Sequence, residues 1–190
     1  MKKLLFAIML MASLTATAQT AHLTFKGIPI DGNLTTFVNK LKQKGFTVLY
    51  SEKGVTMLKG DFAAIKDCTV VVTEHESKVV NRVAVMFPSK DKWATLYNQY
   101  SDLKQMLTEK YGEPAEVEEK FQNHSYELDD NDKMYEVRMN RCLYYCDWVL
   151  ENGVIELRIQ HETTLGCRVV LVYIDAENES KVRSSAIDDL

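Results

Sequence analysis

The dipeptide Asn152-Gly153 stands between two strand-like runs, CLYYCDWVLE and VIELRIQHE. Asn-Gly between such runs is the strongest short-range hairpin signal, because both residues tolerate the left-handed backbone of a tight turn. It commits the last third of the chain to antiparallel pairing. Matching Val149 with Val154 sets Cys142 opposite roughly His161. A third strand, CRVVLVYIDA, follows a turn near Leu165-Gly166.

Upstream, FTVLYS and VTMLKGDF flank Glu52-Lys53-Gly54, and CTVVVTEHES and KVVNRVAVMFP flank Glu76-Ser77-Lys78. Val79, Val83, Val85 and Phe87 take one parity, Arg82 and Ala84 the other. That is a sheet with one buried and one partly wet face. Two helical patterns break the strands. Leu34, Phe37, Val38 and Leu41 recur at helical spacing behind Asn33 as N-cap and before Gly45 as the glycine stop. Trp93, Leu96, Tyr97, Tyr100, Leu103, Leu107 and Tyr111 repeat likewise, with Ser89 as expected N-cap and Gly112 and Pro114 as the stop. DNDKMYEVRMNR reads as a short helix capped by Asn131 or Asp130, and the final ESKVRSSAIDDL as a short helix or a frayed tail.

Helices between hairpin-linked strands define an α+β domain. The expected architecture is two helix-plus-antiparallel-sheet repeats, about residues 22–88 and 89–176, with the helices on one sheet face.

The first residues, MKKLLFAIMLMASLTATAQ, have a Lys2-Lys3 start, a short apolar run and the small-x-small site Ala16-Thr17-Ala18. These are the three regions of a secretory signal peptide, 1–18, too short in its apolar part to span a bilayer. The expected product is residues 19–190, exported to a Gram-negative periplasm or beyond. Removing Lys2 and Lys3 leaves 21 Lys and Arg (23 − 2) against 27 Asp and Glu, a net charge of −6. That balance argues against nucleic acid or an anionic lipid surface as partner.

In an exported chain, Cys68, Cys142, Cys146 and Cys167 suggest disulfides, with three pairings open. Cys142 and Cys146 are about 13 Å apart if extended, beyond bonding reach, and near 6 Å if helical. Unpaired, buried thiols behave as small apolar groups. A zinc site from Cys142, Cys146, His161 and Cys167 is the alternative, disfavoured by export. The acidic run Glu127–Asp132 lacks the glycine and distal glutamate of a calcium loop and reads as solvated. No nucleophile elbow, zinc-protease motif or phosphate loop is present, so no catalytic residues and no cofactor are expected. Tyr144, Tyr145 and Trp148 are the candidate binding aromatics, with Tyr145 on the opposite parity from the other two.

FKGIPIDG leading into FVNKLKQKGF, then LTEKYGEP, ENGVIELRI and VVLVYIDAEN, resemble a family of uncharacterised secreted Bacteroidetes proteins. That resemblance spans most of the exported chain and implies no site residues. The helix-then-strands order is similar in architecture to β-lactamase-inhibitory proteins and small outer-membrane assembly lipoproteins, although no lipid-attachment cysteine follows Ala18. The expectation is an exported, non-catalytic module that binds a protein, peptide or glycan. The competing expectation is an envelope hydrolase assembled from dispersed Asp, Glu, His and Tyr.

Overall fold

The computed structural model describes residues 22–75, 78–122, 127–162 and 166–188. The expected leader, and residues 76, 77 and 165 of two expected loops, lie outside them.

Short apolar pairs at the start form a two-stranded hairpin, β1 (Thr24–Phe25) and β2 (Ile28–Pro29). It turns on Lys26 and Gly27, both at positive φ. α1 (Leu34–Gln43) starts on Asn33, whose side chain accepts from Thr36 N–H, and buries Phe37, Val38 and Leu41. Gly45, at φ +93°, releases the chain into the strands. β3 (Thr47–Glu52), β4 (Val55–Phe62), β5 (Ile65–Glu74) and β6 (Val80–Met86) then run antiparallel as a meander.

α2 (Trp93–Tyr111) buries Trp93, Leu96, Tyr100, Leu103 and Leu107. It begins later than the expected Ser89 cap. Lys92 occupies the cap position without a side-chain hydrogen bond, and Thr95 Oγ1 bonds back to its carbonyl at 2.9 Å. β7 (Glu116–Phe121) is followed by α3 (Asp130–Arg138). The α3 cap is Asp129, one residue before the expected pair, because its carboxylate reaches the N–H groups of both Asn131 and Asp132. β8 (Cys142–Leu150), β9 (Gly153–Glu162) and β10 (Gly166–Asp175) complete the strands, and α4 (Ala176–Asp188) ends the fold as a helix.

All eight long strands form one antiparallel sheet in the order β3-β4-β5-β6-β10-β9-β8-β7. Each half supplies four consecutive strands behind a helix, α1 before β3–β6 and α2 before β7–β10, with α3 inserted between β7 and β8. The halves meet where β6 pairs with β10, with Leu171 opposite Val85.

Parity divides the sheet into two unlike faces. One carries Val70, Val72, Val83, Val85, Leu157, Leu171, Cys146 and Trp148, all buried. α1, α2 and α3 cover it and share its core, in which Phe25 stacks on Phe62 at 5.2 Å and meets Tyr173 edge-on at 5.5 Å. Burying each such large side chain contributes roughly 1.5–3 kcal/mol. α4 is the exception to the expected one-face packing. It crosses to the opposite face, where Glu179, Val182 and Ala186 line a groove with Val154 and Ile174. The polar side chains of Asn81 and Arg82 both bond Glu179 there.

The crossing is held by a buried polar clasp. Asp175 is fully buried and accepts from Leu23 N at 2.8 Å, Asn178 N at 2.9 Å and His22 Nδ1 at 3.1 Å. Asn178 Nδ2 donates to the Ile30 and Val80 carbonyls. The N-terminal hairpin, the end of β10 and the start of α4 are thus tied at one point. Among the described residues, no helix is long and apolar enough to cross a membrane.

Candidate functional site on the open sheet face

The face that α4 only partly covers has a regular composition, because the antiparallel register lines its side chains up across the strands. Tyr50 lies opposite Met57, Met57 opposite Val71, Val71 opposite Ala84, and Ala84 opposite Val172. The same row continues through Glu156, Asp147 and Glu116. It therefore crosses all eight strands, apolar over β3, β4, β5, β6 and β10 and acidic over β9, β8 and β7. Met57, Val71, Ala84 and Val172 are half-buried, and Tyr50 at the β3 edge is 51% exposed. The next row holds Met86, Val170, Arg158, Tyr145 and Glu118.

At the acidic end the ladder between β8 and β9 stops at Tyr145 and Arg158, although both strands continue. An open cleft of about 370 Å³ lies there, lined by Glu116, Cys142–Tyr145, Asp147, Arg158 and Ile159. Tyr145 donates its hydroxyl to Glu116 Oε1 at 2.7 Å. That bond to a carboxylate pushes the phenol up to about 12. Arg158 pairs with Glu156, and Lys120 with Glu118 at 2.8 Å. Asp147 sits between Glu116 and Glu156 with its Oδ1 buried and without a hydrogen-bond partner. Burial raises its carboxyl above the ordinary range; the charges of Glu156 and Glu116 add to this and Arg158 offsets it.

The three aromatics expected to bind are separated by the pleat. Trp148 is 1% exposed on the covered face and donates its indole N–H to the Gly112 carbonyl at 2.9 Å. Tyr144 points the same way, within 5.0 Å of the Trp93 ring and 5.3 Å of Phe121. Tyr145 alone of the three stands on the open face, although Tyr144 also borders the cleft.

The cysteines are all free thiols. His161 and Cys167 are direct cross-strand neighbours, and Cys142 shares their face on β8. Cys146 lies further along, its sulfur 3.0 Å from the Tyr100 hydroxyl. Among the described residues, no group of three or more His, Cys, Asp or Glu side chains is placed to hold a metal. Burial raises every thiol, Cys142 to about 12, which makes each a poor nucleophile at neutral pH.

Glu116, Asp147, Glu156 and Arg158 were not among the residues singled out from sequence. The signal was available: the register that pairs Val149 with Val154 also pairs Asp147 with Glu156 on the wet parity. No protein-family model, no curated protein and no solved structure matches the chain.

Proposed function

We propose that this chain is an exported, non-catalytic binding module that holds a protein, peptide or glycan on the open face of its sheet. The leader-like N-terminus supports export. One observation carries the binding reading: among the described residues only α4 packs on this regular face of the sheet, which ends in a cleft lined by Tyr145 and Asp147. An ordered, solvent-facing apolar area rimmed by charge is the usual form of a recognition surface.

Capture from periplasm and envelope extracts tests it. Wild type is expected to retain a discrete partner that the Met57→Ser/Tyr145→Ala variant loses. A variant of α2, Gln105→Ala/Met106→Ser, is expected to keep that partner. Equal capture by all three proteins would refute the reading.

A second reading, hydrolysis, is favoured by the raised Asp147 carboxyl beside Glu156 and Glu116. A carboxyl with raised proton affinity beside further acidic side chains is the arrangement acid–base hydrolases use. Turnover of an envelope glycan or peptide that Asp147→Asn abolishes would select it over binding alone.

A further inference from the structure

The open face is asymmetric in charge as well as in polarity, and the asymmetry identifies a partner. At the β7–β8–β9 end, among the described residues, Glu116, Glu118, Asp147 and Glu156 share the face with two cations, Arg158 and Lys120. Both of those cations are already paired, and Asp147 Oδ1 is a buried acceptor with no donor. Across the apolar half three strand cations are engaged elsewhere, and Arg183 of α4 lines the groove over Val154 and Ile174. Lys59 pairs with Asp67 at 2.7 Å, Arg82 pairs with Glu179, and Arg168 is buried.

We propose that the open face docks a cationic amphipathic polypeptide segment, its apolar side chains on the Met57–Val71–Ala84–Val172 row and its Lys or Arg residues on Asp147 and Glu116. This rests on the reading of the face as a binding surface and adds the chemistry of the occupant.

Three physical arguments select that occupant. A neutral apolar partner would desolvate the carboxylates that line the cleft, Glu116 and Asp147, without supplying a donor, at a cost of about 1–3 kcal/mol. An anionic partner would add like charge to a cluster already in excess by two carboxylates. A guanidinium or ammonium supplies both the donor and the countercharge. The row spans seven interstrand spacings, about 33 Å, so one continuous segment reaches both halves only if it lies across the strands. A helix of about 22 residues covers that length. The fold already seats a helix on this face, since α4 packs there over Val154 and Ile174.

The test uses the purified mature protein and three synthetic peptides of about 22 residues, built from Leu with Lys, Leu with Gln and Leu with Glu. Affinity is read by fluorescence anisotropy, and the footprint by amide hydrogen exchange. The Leu/Lys peptide is expected to bind at least ten-fold tighter than the other two. Its affinity is expected to fall at least five-fold in Glu116→Gln/Asp147→Asn, and to weaken as salt is raised. Protection should fall on the central strands and β8–β9. Equal binding of the Leu/Gln peptide on the same footprint, insensitive to the charge variant, overturns the cationic occupant and leaves the binding face standing. Absence of a footprint on this face for all three peptides overturns both.

Discussion

Asp147 lies directly opposite Glu156 across β8 and β9, and directly opposite Glu116 across β7 and β8. Three carboxylates therefore share one row of one sheet face. Like charges in direct cross-strand register destabilise a sheet, so the row costs stability that the protein retains.

Replacing Asp147 by Asn should accordingly stabilise the fold. The carboxyl is raised in the folded state, so folding favours its protonated form. The penalty is absent below the unfolded value, grows between that and the raised value, and is complete above it. At pH 7, Asp147→Asn is expected to gain roughly 0.5 kcal/mol, the scale of one relieved like-charge pair. The gain should disappear on acidification below the ordinary carboxylate range. Urea unfolding of both proteins across pH checks the sign, and a loss of stability at pH 7 would contradict it.

The clasp at Asp175 behaves oppositely. Its carboxylate is fully buried with three donors on it, from Leu23, Asn178 and His22. Asp175→Ala strands those donors and is expected to cost about 3 kcal/mol. Glu177→Ala is the comparator. That side chain is 47% exposed and pairs with Lys181 and His22 across solvent, so its loss should cost far less than that of Asp175. Denaturant midpoints of the two variants separate these outcomes.

Two hairpins assign their small residues unexpectedly. Ala63 and Ala64 form the turn between β4 and β5 at φ +50° and +62°, a backbone region that disfavours alanine. Ala64→Gly is expected to stabilise by roughly 0.5 kcal/mol, strain relief outweighing the added unfolded entropy. Gly153 is needed for space instead, since a Cβ there would lie 2.3 Å from the Ile174 carbonyl oxygen. Gly153→Ala should cost about 1–3 kcal/mol by forcing β9 away from β10. Thermal unfolding of the two variants should shift in opposite directions.

The thiols offer a chemical check. Cys142 and Cys146 lie on one strand and one face, and the Cys146 sulfur faces Tyr100. Non-reducing mass analysis is expected to find four free thiols, with Cys68, Cys146 and Cys167 alkylated far faster after unfolding than before. A disulfide in the purified protein would contradict the packing described.

Much of this fold was legible in the sequence where one interaction dominates. The α1 stripe, the Asn33 cap and the Gly45 stop are local, and each is where the spacing put it; of the expected β6 alternation Val83, Val85 and Phe87 are buried, while a register shift at its start buries Val80 in place of Val79. The hairpin of β8 and β9 is also present, but its loop is Glu151-Asn152 and Gly153 already belongs to β9. The reason is the neighbouring β10 backbone, which no local pattern reveals. The Ala63-Ala64 turn carries no glycine or asparagine and so gave no signal. Placing α4 on the far face depends on Asp175 and Asn178 meeting residues about 150 positions away in sequence. The open-face row was half legible. Its strands were expected and its β8–β9 register was available, but its continuity across β6 and β10 follows from a pairing between distant halves.

The central claim is that the open face is where this protein meets its partner. Its most direct measurement is photo-crosslinking in the producing cell, with a photoreactive residue placed at Tyr145 or Met57 on that face, or at Ser101 on the exposed side of α2. A discrete adduct from both open-face positions and none from Ser101 is the expected result. An adduct from Ser101 with none from Tyr145 or Met57 would contradict the account.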